Sequence, residues 1–98
     1  MARFDVHRDV RGRLVLNVQS DLLPEMGTRL VVPLLGQEEL PAPLKRLHPI
    51  VKFGGRDLIL ATHLMAAVPL RSLGRPLESL DNQYDTIKAA IDMAFNGF

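Results

Sequence analysis

Apolar and polar residues alternate in short runs along most of this chain, the pattern of half-buried strands. Residues 3–7 alternate with period two, and Val10-Arg11-Gly12 reads as a turn. Residues 13–19 then send Leu14, Leu16 and Val18 to one face, with Arg13, Val15 and Asn17 opposite. The two segments predict a hairpin. Residues 20–27 form a loop holding Asp21, Pro24 and Gly27, together with the adjacent apolar pair Leu22 and Leu23. Residues 29–35 (RLVVPLL) are an unbroken apolar run rich in β-branched side chains, which fits a strand buried on both faces. Pro33 has no N–H for a ladder, so it is expected at an edge, a bulge or the strand's end.

Farther along, residues 36–43 are a proline-rich excursion with a short helical turn around Glu38 to Leu40. Residues 48–53 and 57–63 make a second hairpin about Gly54-Gly55, a pair suited to the positive φ of tight hairpin turns. An apolar stretch over residues 64–73 is broken by Pro69, and residues 74–76 turn again. Only the last segment has helical spacing. Tyr84, Ile87, Ile91 and Ala94 recur on one stripe, joined by Phe95. Asp81 is the expected N-cap and Gly97 the expected stop. The expectation is one domain over residues 1–98, mainly β, with five or six antiparallel strands closed by a C-terminal helix.

Composition narrows the function. An apolar share of 47% in 98 residues suffices for one core. Twelve Lys and Arg against eleven Asp and Glu leave a net charge of +1, with the basic residues scattered. That pattern argues against direct binding of nucleic acid by this chain alone. The absence of cysteine removes disulfides, thiolate metal sites and cysteine nucleophiles together, and suits a reducing cytosol. No apolar h-region follows the first charged residues, and no apolar run approaches the roughly 20 residues that span a bilayer. A cytoplasmic protein with no membrane association is therefore expected.

Candidate chemistry is sparse. Gly54-Gly55 lacks the Lys and Ser/Thr of a phosphate loop. His7, His48 and His63 match no metal spacing, although the fold is free to bring them together. His48, before Pro49, is expected to cap a strand. Glu38 and Glu39 are adjacent and diverge, as in a solvated turn. Ser20-Asp21 has no nearby His to serve as its base. No catalytic residue, cofactor site or metal site is assigned, and a non-enzymatic role is expected.

Five segments then carry a specific resemblance. Residues 17–23 (NVQSDLL), 29–34 (RLVVPL), 47–51 (LHPIV), 65–74 (MAAVPLRSLG) and 87–98 (IKAAIDMAFNGF) resemble, in that order, the successive signature segments of the CcdB toxins. The resemblance implies a twisted antiparallel sheet of SH3-like barrel type, shared by CcdB and MazF proteins, with a C-terminal helix and assembly as a homodimer. It implies a toxin of a type II toxin–antitoxin system that binds the DNA gyrase A subunit and traps the cleavage complex. It also implies neutralisation by a CcdA-like antitoxin.

In that family the last three residues, Trp-Gly-Ile, build the gyrase site, the paired indoles of the dimer sandwiching an arginine. Those positions fall on Asn96, Gly97 and Phe98 here, and the chain contains no tryptophan. Asn has no π face, and Phe98 is the candidate replacement. Further family contacts map onto Leu22, Leu23, Asp92 and Phe95. Leu22 and Leu23 read as an exposed interaction pair, whereas the place of Phe95 on the apolar stripe predicts core packing. Asp92 stands where the family pattern has Asn, adding a negative charge beside the tail. Two alternatives stay open at this point. One is a protein of this fold that keeps its antitoxin and has lost or exchanged gyrase. The other is an endoribonuclease of the MazF type, for which the linear order assigns no arginine-centred site.

Overall fold

The computed structural model describes residues 2–21, 26–40 and 42–97. Among these, seven strands and one α-helix are formed. The strands are β1 (Asp5–Arg8), β2 (Leu14–Asn17), β3 (Thr28–Leu35), β4 (Ile50–Phe53), β5 (Arg56–Leu60), β6 (Ala66–Pro69) and β7 (Glu78–Ser79); the helix is α1 (Tyr84–Asn96). The fold is thus the mainly β barrel with a C-terminal helix that the alternation predicts, with one or two strands more than expected. The extra pairings are short, and a two-residue strand such as β7 leaves almost no periodic signal.

All pairings are antiparallel, in the order β4-β5-β3-β2-β1-β7, with β6 also on β3. Both hairpins form where expected. Between β1 and β2, Gly12 N–H donates to Asp9 O at 2.9 Å, and the Asp9 carboxylate accepts the Arg11 and Arg13 amides. Between β4 and β5 the two-residue turn places Gly54 at φ 57° and Gly55 at φ 79°. Both angles are strained for any residue with a Cβ, so this turn requires its glycine pair.

Strand β3 is the spine. Its first half pairs with β6 through residues 28–31, and its last two residues pair with β5. Val31 and Val32, consecutive in sequence, are both buried, so the strand faces packed side chains on both sides there. Pro33 corrects the expectation of an edge or an end. It lies inside β3, opposite Val15 of β2. Its carbonyl accepts the Ala61 N–H at 2.9 Å, on the side where β3 changes partner from β6 to β5. The missing N–H therefore falls in a gap between two ladders, where none is needed.

The barrel is nearly closed, and side chains complete the seam between its end strands. The Gln83 amide accepts Lys52 N–H at 2.9 Å and donates to Lys52 O at 3.0 Å, occupying β4's free edge like a strand residue. Glu78 accepts Gly54 N–H from beside it. Inside lie Val6, Leu16, Val32, Leu34, Val51, Leu58 and Leu60, with Leu80, Ile87 and Ala90 added by the last segment. The opposite face of β1–β3 is also covered and holds polar groups. His7, Asn17, Gln19 and Arg29 are all buried there. His7 Nδ1–H donates to Gly74 O at 2.8 Å and Asn17 Nδ2–H to Ala2 O at 3.0 Å, which accounts for much of that polarity.

Candidate functional site

The C-terminal end of α1 carries most of the described residues expected to meet a partner. Asp81 does not cap this helix, contrary to expectation. It opens a 3₁₀ turn, Asp81–Gln83, its own N–H donating to Ser79 Oγ, and the α-helix begins only at Tyr84 with Gln83 at the cap. The turn precedes the helix because Leu80 is fully buried, its N–H held by Phe4 O at 2.8 Å. The chain must wind tightly from that anchor before the helix can lie on the barrel.

Ile87 and Ala90 are the buried residues of the helix, with Tyr84 and Ile91 packed beside them. The stripe then leaves the core. Ala94, Phe95, Asn96 and Gly97 are exposed, and Phe95 is 80% exposed. This corrects the expectation of core packing for Phe95. Helical periodicity places a residue on a face, but the barrel ends before the helix does. Gly97 stops the helix as expected, at φ 76° with its N–H donating to Met93 O at 3.0 Å. Leu22, Leu23 and Phe98 lie outside the described residues.

Asp92, one turn before the tip, accepts a 2.9 Å bond from Lys88 Nζ. That bond, then the charge of Asp92, raises the Lys88 pKa above its ordinary value. A hollow shared with Lys45 and Arg46 lies on the same side, so the negative charge of Asp92 has cations around it. On its other flank Phe95 borders a shallow hollow lined by Leu47, Thr62, His63, Met65 and Ala94. His63 and His48 do meet in space, Nε2 of His48 lying 2.7 Å from Nδ1 of His63. The expectation that His48 caps a strand gives way. Its Nδ1 accepts the Leu44 N–H at 2.9 Å, so the ring closes a loop turn. His7 lies apart, on the polar face behind β1.

What this end of the molecule offers is therefore an unburied aromatic ring at the tip of a helix, beside Asn96 and the helix-stopping Gly97. Among the described residues, no three His, Cys, Asp or Glu side chains converge as a metal site. No described helix is long and apolar enough to cross a membrane.

Comparison with protein families agrees with this architecture. The family model described as CcdB protein matches residues 3–97. The chain belongs to the CcdB family. It is accordingly a toxin of CcdB type from the toxin–antitoxin systems. The CcdB match reaches from Arg3, two residues before β1, to Gly97, just after α1, and so takes in the barrel and the helix tip together. Within this CcdB fold the tail positions Asn96 and Gly97 stand in solvent, Phe95 with them. The hollow beside Phe95 was not visible in the linear order, because Leu47 comes from one turn and Thr62, His63 and Met65 from another, and only the folded sheet brings both to α1.

Proposed function

We propose that this CcdB-family toxin acts by binding rather than by catalysis. In this reading a cytoplasmic homodimer presents its two helix tips to the DNA gyrase A subunit and traps the enzyme on cleaved DNA. A CcdA-like antitoxin neutralises it. The observation that carries the proposal is the exposure of Phe95 at the end of α1, next to the position where the family's tryptophan gives way to Asn96. A large ring carried on an already formed helix spares a partner the cost of ordering the backbone, leaving only the side-chain rotamer cost. It also offers a face to a guanidinium, an attraction of roughly 0.5–2 kcal/mol. In this reading Phe95 supplies the aromatic surface that Asn96 lacks, and Phe98 is the second candidate.

Direct binding of the purified protein to the dimerisation region of the gyrase A subunit tests this, alongside Phe95→Ala, Phe98→Ala and Asn96→Trp. Micromolar or tighter binding that falls about 30-fold in Phe95→Ala, the scale of a 2 kcal/mol hot spot, supports the proposal. Binding unchanged in both Phe variants removes the aromatic replacement. No binding by the native chain, with a clear gain in Asn96→Trp, shows a fold kept while the target has been exchanged.

A further inference from the structure

The two histidines beside the helix tip form a chain of bonds whose proton positions are fixed from one end. A backbone N–H can only donate, so the Leu44 amide, 2.9 Å from His48 Nδ1, requires that nitrogen to be unprotonated. The neutral His48 ring then carries its proton on Nε2. That proton points at His63 Nδ1, 2.7 Å away, which must accept, leaving the His63 proton on Nε2.

The same residues lock a loop. Leu44 O accepts the N–H groups of Leu47 and His48, at 2.9 and 2.7 Å, while the His48 ring takes the Leu44 N–H. Residues 44–48 are thereby closed into a single turn. Through His63 that turn is tied to the 3₁₀ turn Thr62–Leu64. His48 is 7% exposed.

We propose that His48 and His63 form a proton-sensitive latch, which holds the turn of residues 44–48 against the Thr62–Leu64 turn and releases it when either ring gains a proton. A proton on His48 Nδ1 sets two N–H groups against each other at Leu44. A proton on His63 Nδ1 does the same at His48 Nε2. Moving the shared proton across the pair only transfers the conflict to the other end, so the doubly bonded arrangement exists in the neutral state alone.

The geometry distinguishes a latch from a metal site. The ring centroids are 4.7 Å apart and the nitrogens 2.7 Å, so the His48 Nε2–H and the His63 Nδ1 lone pair lie nearly head-on. Two imidazoles on one tetrahedral ion, each at about 2.0–2.1 Å, would stand more than 3 Å apart and converge at an angle.

The surroundings oppose the added charge. Lys45 and Arg46 lie on the latch segment itself, and Lys45 lines the same apolar hollow as His48, with Leu40, Pro43, Pro49, Ile50 and Ile59. From α1, Asp92 faces Lys45 and Arg46 and is itself paired with Lys88. The hollow around His63 is bordered by Leu47, Thr62, Met65, Ala94 and Phe95, none of them charged. Burial, and then the neighbouring His63, hold the His48 pKa below its ordinary value. Opening frees one wall of the hollow beside Phe95, since Leu47 rides on the released turn. The latch depends on these contacts alone, whichever protein the toxin binds.

Amide hydrogen exchange of the ¹⁵N-labelled full-length protein tests it, followed from pH 7.5 to 5 with the His48 ring titration. Protection of the Leu44 amide, corrected for intrinsic exchange, should fall at least tenfold over this range, with the midpoint of the His48 ring. Amides of the β2–β3 ladder should keep theirs. In His48→Asn the side-chain oxygen can still accept the Leu44 N–H but cannot titrate, so Leu44 protection should become flat with pH. In His63→Gln, which keeps an acceptor for His48 Nε2–H but removes the neighbouring imidazole that holds the His48 pKa down, the loss should move to higher pH. Leu44 protection that is constant with pH in the native chain overturns the latch. So does a fall shared equally by the β2–β3 amides, or one that His48→Asn and His63→Gln both leave unchanged.

Discussion

Phe4 is the residue on which the strain of this fold concentrates. Its φ of 69° is in the left-handed region, unfavourable for a bulky L-residue by roughly 1–2 kcal/mol. The conformation persists because three elements hold it. Phe4 N–H donates to Asn17 O at 2.6 Å, Phe4 O accepts from Leu80, and the buried ring packs edge-on against Tyr84 at 5.5 Å. Arg3 completes the cluster, its guanidinium 5.1 Å from both ring centres. Phe4→Ala should lower the unfolding free energy by about 3–5 kcal/mol, measured by urea denaturation, because it empties the junction of β2, α1 and the core. Nothing in the alternation of residues 3–7 announces this kink. A second residue-scale prediction concerns His48. Its folded pKa is depressed, so between that value and the ordinary one near 6.5 the unfolded chain binds more protons. Stability should then rise with pH through that window and be lost as pH falls into it. Urea midpoints measured from pH 5 to 7.5 should show the rise, and His48→Asn should flatten it.

At the scale of elements, the seam and the strand β3 show how the barrel is assembled from short pieces. Gln83 supplies both a donor and an acceptor to the Lys52 backbone, so a single side chain stands in for a missing strand pairing. Gln83→Ala should cost about 1–2 kcal/mol, the scale of two modest hydrogen bonds. It should also speed exchange of the Lys52 amide specifically, which hydrogen-exchange NMR reads directly. The Gly54-Gly55 hairpin was legible in the sequence because its signal is local: two residues determine the turn, and the turn determines the register. The place of Pro33 was not. Whether a missing N–H matters depends on which neighbour lies opposite, and β5 and β6 both lie far downstream, at residues 56–60 and 66–69. Asp81 failed as a cap for a similar reason, since the burial of Leu80 rather than local propensity decides where the helix can begin.

For the whole molecule, compactness and incompleteness coexist. The radius of gyration is 12.5 Å, close to the ~13 Å of a compact 100-residue domain. Yet Leu44, Ile50, Leu64 and Phe95 remain exposed by about half or more. Single exposed apolar residues are ordinary, but Leu64 follows His63 in the turn that borders the hollow beside Phe95. A second copy covering this end is the arrangement the proposed function requires. Multi-angle light scattering at micromolar concentration should therefore give twice the 10.9 kDa chain mass. A monomer across that range would remove the paired-tip geometry.

Sequence alone determined what depends on neighbours along the chain. The alternation over β1 and β2, the two hairpin turns, the helical stripe from Tyr84 to Ile91 and the stop at Gly97 all follow from local periodicity and from conformations only certain residues accept. The ordered segments also sufficed to point to the CcdB family. Tertiary structure decided what depends on distant partners. It left Phe95 in solvent, put Pro33 in the gap of a double ladder, buried His7 and Asn17 behind the sheet, and joined His48 to His63 across fifteen residues of chain. Periodicity reports which face a side chain occupies. Only packing determines what, if anything, that face meets.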